Sequence, residues 1–333
     1  MKIYHIVIFF LLISFTSCND AVESPYPNVT PVQKSGLPTK GRSSAVSFVI
    51  NDKAYITLGR TGLRTGKVAD VWQYDPDNDS WSQKANFPGI GRVKAIAQVV
   101  DGKAYVGLGF DSDSTVYKPN SYLNDFWMYN PDNDTWIRKT DFPGTKKNNV
   151  YYSDACVSFV YGHYIIVGSG FDGYSFRPQF WKYDTTNDQW EQLSDFPYYG
   201  RAAATACTDG ERYFFGSGYN TRSRKDWWEY FPATDSWKEK ESLPENGREN
   251  AVSFSTENRF FVATGRHFGG TLTTNEFKSD ILEYDADNNC WYRRGNLAQG
   301  RENAICFVIK NKAYIGFGDN DEEVFNDLWC IEP

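Results

Sequence analysis

The sequence predicts an all-β chain folded as a six-bladed β-propeller, and three observations predict it. A Tyr precedes a Trp by seven residues five times over: Tyr74 and Trp81, Tyr129 and Trp136, Tyr183 and Trp190, Tyr230 and Trp237, Tyr284 and Trp291. These Trp residues follow one another at spacings of 55, 54, 47 and 54. Between them recur an Arg, an apolar run closed by glycine, and turns too close together to leave room for a helix. A four-stranded unit of roughly 50 residues is the period of a propeller blade.

Each element of the unit has its own signal. Strand a follows Arg42, Arg92, Arg201, Arg248 and Arg301, with Ala45, Ala95, Ala204, Ala251 and Ala304 three residues on. The third copy has Tyr152 and Ala155 in that register, which sets Asp154 beside Ser44, Lys94, Ala203, Asn250 and Asn303. Turns such as Asp101-Gly102-Lys103 lead into strand b, expected to end at Gly59, Gly109, Gly168, Gly216, Gly265 and Gly316. Asp70-Val71-Trp72 and Asn326-Asp327-Leu328-Trp329 open strand c. Asp/Asn/Pro turns, such as Asp75-Pro76-Asp77-Asn78-Asp79, reverse the chain into strand d. The sixth copy reaches only its strand c, while residues 31–38 mirror residues 81–88. The N-terminal strand is therefore expected to complete the last blade and remove its free edge.

Ahead of the propeller, residues 1–17 read as a signal peptide, with Lys2 before an apolar run too short to cross a bilayer. Phe15-Thr16-Ser17-Cys18 resembles the lipobox of bacterial lipoproteins, which implies lipidation of Cys18. Residues 18–30 then read as a flexible tether and residues 31–333 as the propeller. The expected location is the bacterial cell envelope, lipid-anchored at the outer membrane, with the membrane met through the lipid alone. Net charge is -7 and no basic block occurs, which argues against a nucleic-acid partner. Cys156, Cys207, Cys290, Cys306 and Cys330 show no metal-ligand spacing and read as buried thiols, so no metal, cofactor or disulfide framework is expected. The chain is expected to be a monomer.

Glycine closing strand b, with Tyr and Trp flanking the c–d turn, resembles the Kelch family over about residues 31–333. In a propeller the b–c and d–a loops share one face, around the mouth of the central channel. The b–c loops are residues 60–69, 110–122, 171–178, 219–225, 266–279 and 319–325, and their contents differ. Variation on a constant scaffold is the usual arrangement for recognition. Ligand-binding candidates are Tyr174, Arg177, Arg224, Arg266 and His267 on the loops. Lys94, Asp154, Asn250 and Asn303 join them from the irregular ring on the channel. The repeated Arg42, Arg92, Arg201, Arg248 and Arg301 form either a cationic collar or, as their recurrence favours, hydrogen bonds to carbonyls of a neighbouring blade.

For catalysis the inventory is thin, and no catalytic residue is assigned. Beyond the signal segment only His163 and His267 occur, and no nucleophile elbow, H-E-x-x-H or phosphate loop is present. The copper site of Kelch-like galactose oxidases therefore has no counterpart. Kelch sialic-acid mutarotases act with a Glu and an Arg at the channel mouth. Arg224 is similar in placement to that Arg, but Gly218 stands where the Glu belongs, leaving Glu249 or Glu302 as substitutes. The expected function is a non-enzymatic module that recognises a glycan or protein at the envelope. A mutarotase- or epimerase-like enzyme acting on a sugar acid is the alternative, which a Glu–Arg pair in the channel would favour.

Overall fold

Burial follows the expected alternation. In Val46–Ile50 the side chains of Val46, Phe48 and Ile50 are buried while Ser47 and Val49 are half-buried on the opposite face, against the last blade. The next strand, Lys53–Thr57, is buried on both faces from Ala54 onward, as suits a strand inside its sheet and sandwiched by other blades. The structure, a computed structural model, describes residues 22–111, 121–144, 154–268 and 275–333. The signal segment, Cys18, Asp113, Tyr117 and Tyr152 lie outside the described residues.

Six antiparallel sheets form the blades. Blade 1 runs Val46–Ile50, Lys53–Thr57, Val71–Asp75 and Ser80–Lys84. Blade 2 runs Ile96–Val100, Lys103–Gly107, Phe126–Asn130 and Thr135–Lys139; blade 3 runs Val157–Tyr161, Tyr164–Gly168, Phe180–Asp184 and Gln189–Gln192. Blade 4 runs Thr205–Thr208, Tyr213–Gly216, Trp227–Phe231 and Ser236–Lys240. Blade 5 runs Val252–Thr256, Arg259–Ala263, Asp280–Asp285 and Cys290–Asn296. Blade 6 takes Ile305–Ile309, Lys312–Gly316 and Leu328–Ile331 from the C-terminal end and Val32–Lys34 from the N-terminal end. That last strand pairs antiparallel, Val32 with Cys330 and Lys34 with Leu328, so the expected closure is present. Among the described residues there is no helix.

The Tyr–Trp repeat is the clasp between blades. Tyr74 donates to Asp79 at 2.7 Å, and the same carboxylate accepts the backbone N–H of Ser35 from the preceding strand d at 3.0 Å. The Trp81 indole donates back to the Ser35 carbonyl at 2.9 Å, so one residue is held at both its polar groups. Tyr129, Asp134 and Trp136 hold Ala85 in the same way. Tyr183, Asp188 and Trp190 hold Thr140, and Tyr284, Asn289 and Trp291 hold Glu241. Blade 4 keeps only the Asp235 half, to Ser194 at 2.7 Å. Leu37, Phe87, Phe142, Phe196, Leu243 and Leu297, each shortly after a strand d, are buried in the seams between blades.

The tether expectation is corrected over residues 22–30, which are docked. Val22–Glu23 adds a parallel fifth strand to blade 5, beside Tyr292 and Arg293. Arg294 donates to the Pro27 carbonyl at 3.0 Å, and the Val29 N–H bonds the Arg294 carbonyl at 2.7 Å. Tyr26 lies over the Arg259 and Arg294 guanidiniums at 5.5 and 5.4 Å. The N-terminal segment thus straps blade 5 to blade 6 before it closes the ring.

Candidate functional site

Six residues close a hydrogen-bonded ring around the channel. The N–H of each of Ser44, Lys94, Ala155, Ala203, Asn250 and Asn303 donates to the carbonyl of the preceding member, at 2.9–3.3 Å, and Ser44 completes the cycle on Asn303. All six hold left-handed φ values of 50–55°. This conformation is uncommon for a side chain other than Asn, Asp or Gly. It turns one polar backbone group of each blade toward its neighbour. Ala155, not Asp154, is the member from blade 3. Asp154 takes the preceding position, shared with Ser43, Val93, Ala202, Glu249 and Glu302, where a one-residue shift faces it to the mouth instead.

Strand b ends at Gly168, Gly216 and Gly316 as expected, whereas in blades 1, 2 and 5 it stops two residues before Gly59, Gly109 and Gly265. The glycine two places past each strand end, Gly59, Gly109, Gly170, Gly218, Gly265 and Gly318, holds φ between 85° and 102°. At Gly59 a Cβ would stand 2.7 Å from the Ser43 carbonyl, so strand b could not run this close to the mouth residue with any side chain. The residue after each glycine bridges to the mouth position: Arg60 to Ser43, Phe110 to Val93, Phe171 to Asp154, Tyr219 to Ala202, Arg266 to Glu249 and Asp319 to Glu302.

A cleft of about 420 Å³ lies at the mouth, lined by the aromatic Phe171, Phe176, Tyr219 and Phe268 and by the polar Lys94, Asp154, Glu249, Asn250 and Arg266. The aromatic wall is continuous: Phe171 to Phe176 is 5.1 Å between centroids, Phe176 to Tyr219 5.7 Å, and Tyr219 to Phe268 5.9 Å. On the polar wall Arg266 donates to Glu249 at 2.6 Å and meets Glu302 at 3.2 Å, while Asn250 donates to the other Glu302 oxygen at 2.6 Å. Burial pushes the Asp154 carboxyl up to about 6, opposed by Lys94. Burial and nearby Asp319 push Glu302 up to about 7 although Arg266 and Asn250 oppose them. Two carboxyls at the mouth thus exchange protons near neutrality. The Lys94 ammonium makes no ion pair or hydrogen bond among the described residues.

Of the sequence-predicted candidates, Lys94, Asp154, Asn250 and Arg266 meet in this cleft. Asn303 lies on the channel just below and donates to Asp319 at 2.9 Å. The other four are placed elsewhere. Arg224 is buried with its guanidinium 4.8 Å over the Tyr199 ring, away from the channel mouth. Arg177 pairs with buried Asp172, which also accepts the N–H groups of Tyr174 and Ser175 and so fixes the loop tip. Tyr174 projects into solvent from that tip. His267 contacts the Gly247 carbonyl through Nδ1 at 2.7 Å. Glu249 enters from the sequence only as a substitute for the missing Glu, and Phe176, Tyr219 and Phe268 are not among the ligand-binding candidates; their convergence depends on ring closure, which no local pattern carries.

The repeated arginines are 0–1% exposed and do not open to the channel. Arg92 grips Asp125 at 2.5 and 2.8 Å, Arg248 grips Asp280 at 2.7 and 2.8 Å, and Arg301 grips Asp327 at 2.5 and 2.8 Å. Arg201 meets Asp226 at 2.7 Å, and Arg42 pairs with Asp70. The carbonyls they reach include Asp70, Leu108, Ser217, Thr264 and Phe317 of their own blade, and Ile90, Tyr199 and Gln299 in the connection that leads into it. Blade 3 has Ser153 and Gln179 at the two positions, so the cation and its carboxylate are absent together. A lone buried charge would be the costly case.

A larger cleft, about 570 Å³, lies at the outer edge of blade 6 under residues 28–34. Two of its lysines are already engaged, Lys310 with Asp77 at 3.1 Å and Lys312 with Glu332 at 2.6 Å. Its walls lack the aromatic side that the channel mouth has.

No family model matches the chain, and no curated protein matches it. Among solved structures 934 chains match, a spread that by itself names no activity. One of them is the structure of YjhT: the TM-score is 0.73 at 20% identity, over 88% of this chain and 95% of that one. At this identity the likeness is one of fold, and the chain is an all-β, six-bladed β-propeller.

Proposed function

We propose that the chain binds a carbohydrate, taking one sugar unit into the cleft at the channel mouth. The carrying observation is that four aromatic rings and a set of carboxylates, amide and guanidinium line one cleft of about 420 Å³. A sugar ring has the matching duality: C–H groups on its faces stack on aromatics, and its hydroxyls bond fixed polar groups. Lys94 offers a cation for a carboxylate, which extends the range to acidic sugars. Lys94→Ala is expected to weaken an acidic sugar about tenfold and Phe176→Ala any sugar by as much, about 1.4 kcal/mol each. Tyr174→Ala and His267→Ala should leave affinity unchanged. The check is titration calorimetry with sugars selected from a glycan array. Loss of binding in the latter pair, with none in the former, would move the site off this cleft.

The Glu249–Arg266–Glu302 cluster favours a second reading, a mutarotase- or epimerase-like enzyme acting on a sugar acid. Glu302, whose carboxyl titrates near neutrality, could give a proton to a ring oxygen while Asp154 takes one from the anomeric hydroxyl, so that the ring opens and recloses. The discriminating measurement is anomer exchange of the bound sugar by NMR, with Glu302→Gln as control. Unchanged exchange on adding the wild-type protein would leave binding alone.

The repeat signature supports a Kelch-type propeller, and the segment ending at Cys18 supports a lipid anchor holding it at the bacterial outer membrane. Cys18→Ala should then leave the membrane fraction as a folded soluble protein; retention after a carbonate wash would contradict the anchor.

A further inference from the structure

We propose that the cleft is one end of a longer groove, and that Tyr198 and Tyr199 form a second sugar subsite, so that the ligand is an oligosaccharide. This rests on the carbohydrate reading of the cleft.

The two tyrosines occupy the positions before the Gly-Arg pair that opens blade 4. Equivalent positions elsewhere hold Thr39-Lys40, Gly89-Ile90, Glu245-Asn246 and Ala298-Gln299. Blade geometry therefore asks for no aromatic here. Tyr198 and Tyr199 are 44% and 56% exposed, with ring centroids 4.5 Å apart at 63°. Adjacent exposed aromatics of this kind mark a contact surface more often than chance exposure does.

Their backing is fixed while their outer faces are open. Tyr198 lies 6.0 Å from the Trp228 ring, at an interplanar angle of 34°. Trp228 in turn donates to Asp226, the partner of buried Arg201. Tyr199 covers the Arg224 guanidinium at 4.8 Å. The burial of Arg224, out of place for a mouth residue, is explained as support for this platform. A ring held from behind loses little conformational entropy on stacking.

The platform is continuous with the cleft. Gly200, next to Tyr199, packs so closely on the blade 3 loop that an added Cβ would stand 2.4 Å from the Phe176 carbonyl. The Asn220 side chain donates to the Gly200 carbonyl. Phe176 and Tyr219, the residues flanking these contacts, line the cleft itself. A chain of sugars leaving the aromatic wall would have only this joint to cross to reach the tyrosine pair.

The test is a glycan array carrying neutral and uronic sugars as monomers through tetramers, followed by calorimetry on the binders. Wild type should gain about tenfold in affinity from monomer to trimer, the scale of one added stacking contact. The Tyr198→Ala/Tyr199→Ala double variant should lose that gain and keep monomer affinity within twofold. Tyr198→Phe/Tyr199→Phe, which retains the rings, should keep most of the gain. Phe176→Ala should weaken every length alike. Equal wild-type affinity at all lengths overturns the subsite and leaves the cleft standing, whereas no binding at any length overturns both. Conversion of a dimer to a monomer by the alanine pair in sedimentation would make the patch a self-association surface and also overturn the proposal.

Discussion

Arg248→Ala is expected to lower stability by about 3–5 kcal/mol, the range for breaking a buried ion pair by removing one partner. Asp280 is 5% exposed and would keep its charge with both guanidinium contacts gone. The Thr264 carbonyl would lose its 3.1 Å donor as well. In the wild type burial raises the Asp280 carboxyl, but Arg248 outweighs it and holds the group below the usual carboxylate range. Its contribution is thus present above the unfolded value, about 3.9, and fades as pH falls through the folded one. In the variant burial is opposed only by the weaker pull of Arg293 and Lys278, so the defect should be large at pH 7 and smaller near pH 4. Arg248→Ser combined with Asp280→Gln, the pair that blade 3 carries, should recover most of the loss in urea unfolding. A double variant no more stable than the single one would mean that the ion pair is not what the arginine contributes.

Removing residues 22–35 is expected to cost on the order of 5 kcal/mol, a large part of a typical domain's stability. The truncation strips three ladder residues from Leu328–Ile331, exposing an unpaired edge. It also takes Ser35 out of the clasp with Asp79 and Trp81, and Val29 and Tyr26 off blade 5. Blades 1 and 6 should be the first to exchange amide protons. A permuted chain that begins at Arg42 and carries residues 29–41 after Pro333 restores the strand and should recover the melting temperature. Equal melting of the truncated and full chains would show that the strap and last strand contribute nothing to closure.

The architecture was legible in the sequence because the repeated residues are the ones that hold blades together. Tyr129, Asp134 and Trp136 recur as a set since each completes a bond of the same clasp. Register failed where that set of anchors is incomplete. Without an arginine in blade 3, Tyr152 stood in for Ser153, and Asp154 moved one place too far onto the ring. The repeat placed Gly59, Gly109 and Gly265 at the strand end with Gly168, Gly216 and Gly316, although in blades 1, 2 and 5 the strand stops two residues earlier and the left-handed glycine lies beyond it. Residues 22–30 read as tether from Pro25 and Pro27, because contacts with Arg259 and Arg294 are too distant in sequence to register locally. At the site, loop position was legible but side-chain direction was not: Arg224 turns beneath Tyr199, while Phe176 and Phe268 turn inward from different blades to one wall.

That the channel mouth is the binding face is tested most directly by hydrogen exchange with an array-selected sugar. Saturating sugar should slow exchange at residues 171–176, 219–220, 249–250 and 266–268, with no change at residues 28–34 and 309–314. Protection confined to the blade 6 edge around Lys34 and Lys310, with the mouth unaffected, would contradict it.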